Sequence, residues 1–483
     1  MFHLHLYTGD TAAQSQYWGT SGDTHDLYAE PWVSFTDDID ERVRYNRTTP
    51  LTFQFTTSGS VKWTKNGTVG AKPIMYRKNN ENTWTTLAGT SNASFNVAAG
   101  DIIQFRGNND QYATSITGQS VPTGFSFCGT TGTFSVYGNI MSIVNSEDYP
   151  DMVTLPSAFT FTGLFWGCSG LTSASNLVLP AKILTDSCYA QLFHNCGSLT
   201  TGPALPATML TPGCYQELFA FCTSLTTAPE LPARSVKNQS YWAMFALCTS
   251  LTTAPELPAT EVGCMGYNSM FIGCSSLTTP PPSLPAMYPE DECYTNMFSG
   301  CTSLTGTPIF NTVEWIHVDS PSFQTAGYAH CNMMFAGCTS LTVAPELPAK
   351  NAPDLVYGSM FVNCTALTQA PSILPAMELM PAVTTQRGCY STMFSGCTSL
   401  TTSPILPAET LVYLCYNCMF EGCSSLNTVT CLAKNPTSAT SPTPDWLLNV
   451  SSSGTFYRAP GVSWGASGSS GIPSGWTIVD YTG

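Results

Sequence analysis

Between residues 155 and 432 the apolar positions return as a block rather than along one continuous helical or strand period. The frame F-x-x-C-x-x-L occurs ten times, with its cysteine at Cys168, Cys196, Cys222, Cys248, Cys274, Cys301, Cys338, Cys364, Cys397 and Cys423. Successive separations are 28, 26, 26, 26, 27, 37, 26, 33 and 26 residues. One such block cannot bury its own apolar side, so the blocks must stack, and a period of this length predicts one coil of a solenoid. In each coil Leu225-Thr226-Thr227-Ala228, or its counterpart, alternates like a short parallel strand. Leu225 and Ala228 face inward there and the threonines outward, and Pro229 ends the strand because it has no N–H to offer. Ahead of the cysteine, LTPGCYQELFAFC at 210–222 spaces Leu210, Cys214 and Leu218 by four, which predicts a short helix or 3-10 turn.

The pattern differs on both sides of the array. Residues 1–48 show no clear periodicity and carry a carboxylate knot, TDDIDER at 36–42; they read as an attachment or assembly segment. From 49 to 150, LTFQFTTSGSVKWTKNG, MYRKNNENTWTTLAG, ASFNVAAGDIIQFRG and GTFSVYGNIMSIV alternate with period two between Gly and Asn turns. That predicts a small β-sandwich-like domain with Trp63, Trp84, Phe95, Phe105 and Phe134 in its core. The solenoid spans 151–432, and 433–483, rich in Pro, Ser and Gly with two strand candidates, reads as a C-terminal cap.

Twenty cysteines raise the question of disulfides. The frame cysteine is present in all ten copies, whereas a second cysteine eight residues earlier occurs only as Cys188, Cys214, Cys293, Cys389 and Cys415. Thr160, Ser240, Gly266, His330 and Val356 take its place elsewhere. A required pair would be lost together, so the frame cysteine does not depend on this partner. A ladder of buried thiols follows, although neighbouring coils are close enough for some disulfides. Cys415, Cys418 and Cys423 lack the matching second pair of a zinc site, and no metal or other cofactor is expected.

The phrase MFxGCTSLTxAPELPA resembles the BspA-like leucine-rich repeats found in surface proteins of gut and oral bacteria and in tailed phages. The resemblance covers about 155–432. Here the strand reads L-x-x-A-P-x-L-P, one residue longer than the commoner L-x-x-I-x-I-P of that family. The closing segment GTFYRAP…GIPSGWTIV also resembles the ends of such proteins, including ones of crAss-like and related gut phages. The resemblance implies a mainly β, or α+β repeat, leucine-rich-repeat solenoid of about ten coils. It also implies a non-enzymatic surface role in adhesion, on a phage virion as a fibre or decoration or, alternatively, on a bacterial cell.

Composition narrows the chemistry. Only 10% of residues are charged and the net charge is −15, so no basic stripe for nucleic acid or an anionic membrane can form. No run of about 18 apolar residues exists to span a bilayer, and the N-terminus lacks the basic and apolar regions of a secretion signal. There is no G-x-S-x-G, P-loop, H-E-x-x-H or dinucleotide fingerprint, and the expectation is that the protein is not an enzyme. Glu290, Asp291 and Glu292 sit together on what reads as an exposed loop.

Binding is expected on the outward face of the coils, through Thr226, Thr227, Glu230, Thr252, Thr253 and Glu256. It is expected also on the overlong coil between Cys301 and Cys338, through Trp315, His317, Phe323 and Tyr328, because long loops on rigid scaffolds often carry recognition. The expected partners are a host surface glycan or protein, other virion proteins through the N-terminal region, and further copies of the chain.

Overall fold

The computed structural model describes residues 46–116, 118, 120–315, 329–347, 351–352, 355–376, 378–379, 388–436, 441–464 and 470–483. The carboxylate knot at 36–42 lies outside them. The protein is mainly β, with N-terminal sheets leading into a β-solenoid.

The N-terminal strands are β1 (Leu51–Phe55), β2 (Gly59–Asn66), β3 (Ile74–Lys78), β4 (Thr85–Leu87), β5 (Ala93–Val97), β6 (Ile102–Gly107), β7 (Ala113–Ser115), β8 (Thr123–Ser126) and β9 (Phe134–Asn139). They form a four-stranded sheet in the order β5-β2-β8-β7 and most of a six-stranded one, β10-β9-β1-β6-β3-β4. The sixth strand, β10 (Leu171–Val178), belongs to the first coil and pairs parallel with β9. Side chains of the two sheets meet at Phe127, whose ring lies 4.7 Å from Phe53 and 4.9 Å from Trp63. Trp63, Phe105 and Phe134 are fully buried, as their alternation predicts. Trp84 is not a core residue. It lies half-buried with the guanidinium groups of Arg77 and Arg106 over its ring at 5.0 and 4.9 Å, so cation–π attraction holds it at the surface.

In the coils, the stretch expected as a helix is a ribbon of successive turns. In 213–222 every second N–H closes a turn: Gln216 N–H donates to Gly213 O, Leu218 to Tyr215 O and Ala220 to Glu217 O, at 3.1–3.2 Å. The alternate N–H groups reach the next coil: Tyr215 donates to Ser240 O, Glu217 to Trp242 O and Phe219 to Met244 O, at 2.8–3.0 Å. A helix would use all these donors internally and leave none for stacking. The ribbon stays straight because every fourth residue reverses to positive φ: Gly213 at 65°, Glu217 at 51° and Phe221 at 63°. The four-residue apolar spacing is therefore real, and Leu210, Cys214 and Leu218 are all buried, but the conformation behind it is not helical.

Two strips of parallel pairing complete each coil. Single bridges join Ser173, Thr201 and Thr227, and likewise Thr253 and Thr279, so the threonine segment is shorter than the strand its alternation predicts. The second strip follows the PELPA segment, as where Ser235–Val236 pairs with Glu261–Val262. Two aromatic columns run through the core. The frame phenylalanines stack at 5.4–5.6 Å from Phe165 to Phe420. Tyrosines seven residues before the cysteine stack at 5.8–6.1 Å from Tyr189 to Tyr294.

Both ends of the array are closed by non-repeat structure. Phe127 of the N-terminal sheets stacks on Phe165 at 5.9 Å, and its backbone N–H donates to Leu164 O at 2.8 Å. At the far end Thr402–Leu406, Thr428–Cys431, Gly454–Arg458 and Trp476–Asp480 form a parallel sheet. Ser441, Asp445 and Asn449 repeat the positive-φ rhythm of a further ribbon, with Leu447 and Val450 where the frame has Phe and Cys.

Candidate functional site

The ten frame cysteines are free thiols, and every cysteine but Cys128 and Cys418 is buried. Each frame cysteine donates its S–H to the backbone carbonyl of the phenylalanine one coil back. Cys196 donates to Phe165 O at 3.1 Å, Cys248 to Phe219 O at 3.1 Å, Cys338 to Phe298 O at 3.2 Å and Cys423 to Phe394 O at 3.0 Å. Cys168 reaches Phe127 O in the N-terminal sheets at 3.3 Å, so the cap accepts the first rung. Burial pushes these thiols up, Cys222 to about 12, which keeps them protonated and able to donate. Among the described residues no group of three or more His, Cys, Asp and Glu side chains is arranged to hold a metal ion, and no helix is long and apolar enough to cross a membrane.

Thr226, Thr227, Thr252 and Thr253 are exposed in adjacent coils, and Glu230 and Glu256 are exposed one coil apart. Two hydroxyls of this row are tied to the preceding coil: Thr226 Oγ1 donates to Thr200 O at 3.4 Å and Thr278 Oγ1 to Thr252 O at 3.1 Å. At these two positions the hydroxyl proton points along the stack and leaves the outward lone pairs free to accept.

The overlong coil is used differently from expectation. His317, Phe323 and Tyr328 lie outside the described residues. Trp315 is only 4% exposed and belongs to the core rather than to a recognition surface. In this coil Cys331 stands where eight others have tyrosine and the first has Phe161, and the indole enters the gap in the column. It meets Tyr294 and Tyr357 edge-on at 6.4 and 6.0 Å, stacks on His330 at 5.0 Å and donates Nε1–H to Tyr357 Oη at 3.1 Å. The Glu290-Asp291-Glu292 run is likewise not a free loop. All three are half-buried at the start of a ribbon, where Glu290 Oε2 accepts from the Cys264 N–H at 3.1 Å and Asp291 lies 3.6 Å from His330 Nε2.

A strip on the outer side of the first ribbons escapes a search for chemical motifs. The residue before each frame cysteine has positive φ and is Gly or Asn in every copy but two, where Phe221 and Leu247 adopt 63° and 59°. Phe221 packs with Trp242 and Ile272 over Ala220, Ala243 and Ala246, forming a cluster separate from the main core. Leu247 is 38% exposed and leans over Gly273, where an added Cβ would stand 2.6 Å from its Cδ2. Phe221 also meets His194 at 5.1 Å, and His194 stacks on Trp166 at 5.5 Å. His194 is 3% exposed with neither ring nitrogen hydrogen-bonded, and burial pulls its pKa down to about 4. Beside it Gln191 donates to Glu217 and to Gly118 O, and burial raises the Glu217 carboxyl. The signal was present in the sequence as FAFC and FALC among copies reading F-x-G-C or F-x-N-C.

No protein-family model and no curated protein matches the chain. Among solved structures it is similar to a leucine rich cell surface protein of Faecalibacterium prausnitzii A2-165, at 18% identity over 56% of this chain and 82% of that one, with a TM-score of 0.25. A leucine-rich repeat protein of Bacteroides ovatus matches at 16% identity over 61% of this chain and 81% of that one, TM-score 0.22. The T. pallidum leucine rich repeat protein matches at 17% identity over 49% and 90%, TM-score 0.25.

Proposed function

We propose that the chain is a non-enzymatic binding protein displayed at a bacterial surface, presenting its solenoid for adhesion to host-surface glycan. The observation that carries this reading is the exposed row of Thr226, Thr227, Thr252 and Thr253 beside Glu230 and Glu256. The Thr226 hydroxyl is held by the backbone of the neighbouring coil, so little of its side-chain entropy is lost when a polyhydroxylated ligand docks. A repeating polymer meets a repeating row of acceptors, and several weak contacts then add through multivalency. Display on a phage particle is a second reading, favoured by the free thiols of the ten frame cysteines, which suit assembly in a reducing cytoplasm.

A glycan array probed with the wild-type chain and with a Thr226→Ala, Thr227→Ala, Thr252→Ala, Thr253→Ala variant tests the site. Binding should occur and should drop at least tenfold in the variant. No binding by the wild-type chain defeats the glycan reading, and equal binding by both defeats the threonine row.

A further inference from the structure

We propose that Cys188 and Cys214 are a modification site: in an oxidising exterior they form a disulfide between adjacent coils, which Cys389 and Cys415 repeat near the other end of the array. The two links staple the solenoid close to each of its caps, where a one-dimensional stack frays first. The site is separate from the threonine row, and the proposal stands whether or not that row binds glycan.

The distribution of the second cysteine gives the first reason. Of its five copies, four fall in adjacent coils: Cys188 and Cys214 in the second and third, Cys389 and Cys415 in the ninth and tenth. The fourth and fifth coils lack it together, with Ser240 and Gly266 in its place. The remaining copy, Cys293, has Gly266 and His330 level with it, since Tyr267 N–H donates to Cys293 O and Tyr294 N–H to His330 O. A small apolar filler of the core could occur singly in any coil, whereas a covalent partner is kept or lost with its neighbour.

Geometry gives the second. Tyr189 N–H donates to Cys214 O at 3.0 Å and Tyr390 N–H to Cys415 O at 3.1 Å, so each pair occupies one level of the ribbon, and all four side chains are buried. Disulfides join Cα atoms about 4.4–6.8 Å apart, and neighbouring parallel strands lie about 4.8 Å apart, so stacked cysteines are within span. A glycine lets the backbones close at both pairs. A Cβ on Gly213, just before Cys214, would stand 2.9 Å from Ser187 Oγ, and one on Gly388, just before Cys389, 2.5 Å from Cys415 Cα. Ser240, one coil beyond Cys214 at the same level, is within hydrogen-bond reach of that thiol, which shows how closely successive side chains of this row approach. The frame cysteines stack as well, but their protons are committed to carbonyls, as Cys222 is to Phe193 O at 3.1 Å.

The oxidant is a small-molecule disulfide of the glutathione class. One cysteine thiolate attacks it, forming a mixed disulfide and releasing one small thiol; the second thiolate then displaces the other small thiol. Two S–H bonds are replaced by one S–S bond, and both electrons and both protons leave on the two small thiols. Burial pushes Cys214 up to about 12 and Cys188 well above the usual thiol range, so closed coils are protected and the exchange takes place as the coils assemble.

Refolding the reduced full chain in a glutathione redox buffer tests this, with acid quenching, alkylation of free thiols in denaturant and mass spectrometry of unreduced peptides. Peptides joining Cys188 to Cys214 and Cys389 to Cys415 should appear, with Cys196 and Cys222 recovered alkylated. Alkylated Cys188 and Cys214, or linkage of either to a frame cysteine as often as to each other, overturns the proposal. The oxidised chain should melt several degrees above the same chain held in reductant, and a Cys188→Ala, Cys389→Ala variant should melt alike in both. Equal melting of the two wild-type forms overturns the stapling role, and a redox-dependent Tm that survives in the variant assigns it to other cysteines.

Discussion

Cys248 shows what a single repeated residue does in this protein. Its thiol fills a fully buried slot and donates to Phe219 O, while its own coil's Phe245 carbonyl accepts from Cys274 at 3.0 Å. Cys248→Ala should therefore cost about 1–2 kcal/mol, the loss of one buried donor plus a small cavity, as read by urea unfolding. In the folded chain near pH 8, roughly the pKa of a free thiol, Ellman's reagent should titrate only Cys128 and Cys418, the two partly exposed thiols; rapid reaction of frame cysteines would show an open ladder. His194 sets a pH dependence. Its folded pKa of about 4 lies below the ordinary 6.5, so the unfolded chain binds the proton first. The stability held above pH 6.5 should fall as pH drops and be fully lost below about 4, by up to about 3 kcal/mol. Glu217 runs the other way: its raised pKa means that stability is lost as pH rises above the ordinary 4.5. His194→Phe should flatten the first slope, and Glu217→Gln should raise the urea midpoint at neutral pH but not near pH 4.

Trp315 belongs to the scale of the element. Its coil lacks the tyrosine of the column, and the extra residues of that coil return an indole to the gap. Trp315→Ala should cost about 3–5 kcal/mol, as for truncating a buried large aromatic. Because coils interact mainly with their neighbours, the loss should split urea unfolding near this coil into two steps; a single unchanged transition would show that the indole is not part of the column. The turn ribbon is an element of the same kind, defined by contacts rather than by local preference. Residues such as Glu217 and Gln191 hold positive φ because five N–H groups per coil find carbonyls on the next one, each worth about 0.5–1.5 kcal/mol net. An isolated ribbon would have no such partners.

Across the whole molecule, nearest-neighbour stacking makes coils interchangeable where their sequences agree. CTSLTTAPELPA occurs at 222–233 and again at 248–259, so deleting 223–248 joins Cys222 to Thr249 within the same phrase. The shortened chain should fold cooperatively with an unchanged far-UV CD shape, whereas removing 46–150 should expose Phe165 and the first rung and lead to aggregation; the reverse outcome would contradict nearest-neighbour stacking. The solenoid, its period, the buried Phe-Cys-Leu rung, the independence of the frame cysteines from the second cysteine of their coil and the exposure of the threonines were all legible in the sequence. Each follows from a pattern that ten internal copies repeat. Tertiary structure decided the rest. A four-residue apolar spacing is shared by a helix and a turn ribbon, and only the partners of alternate N–H groups tell them apart. Trp315 reads as a loop aromatic until Cys331 leaves a hole for it. FAFC and FALC read as two more copies of the frame until the positive φ before the cysteine turns Phe221 and Leu247 outward.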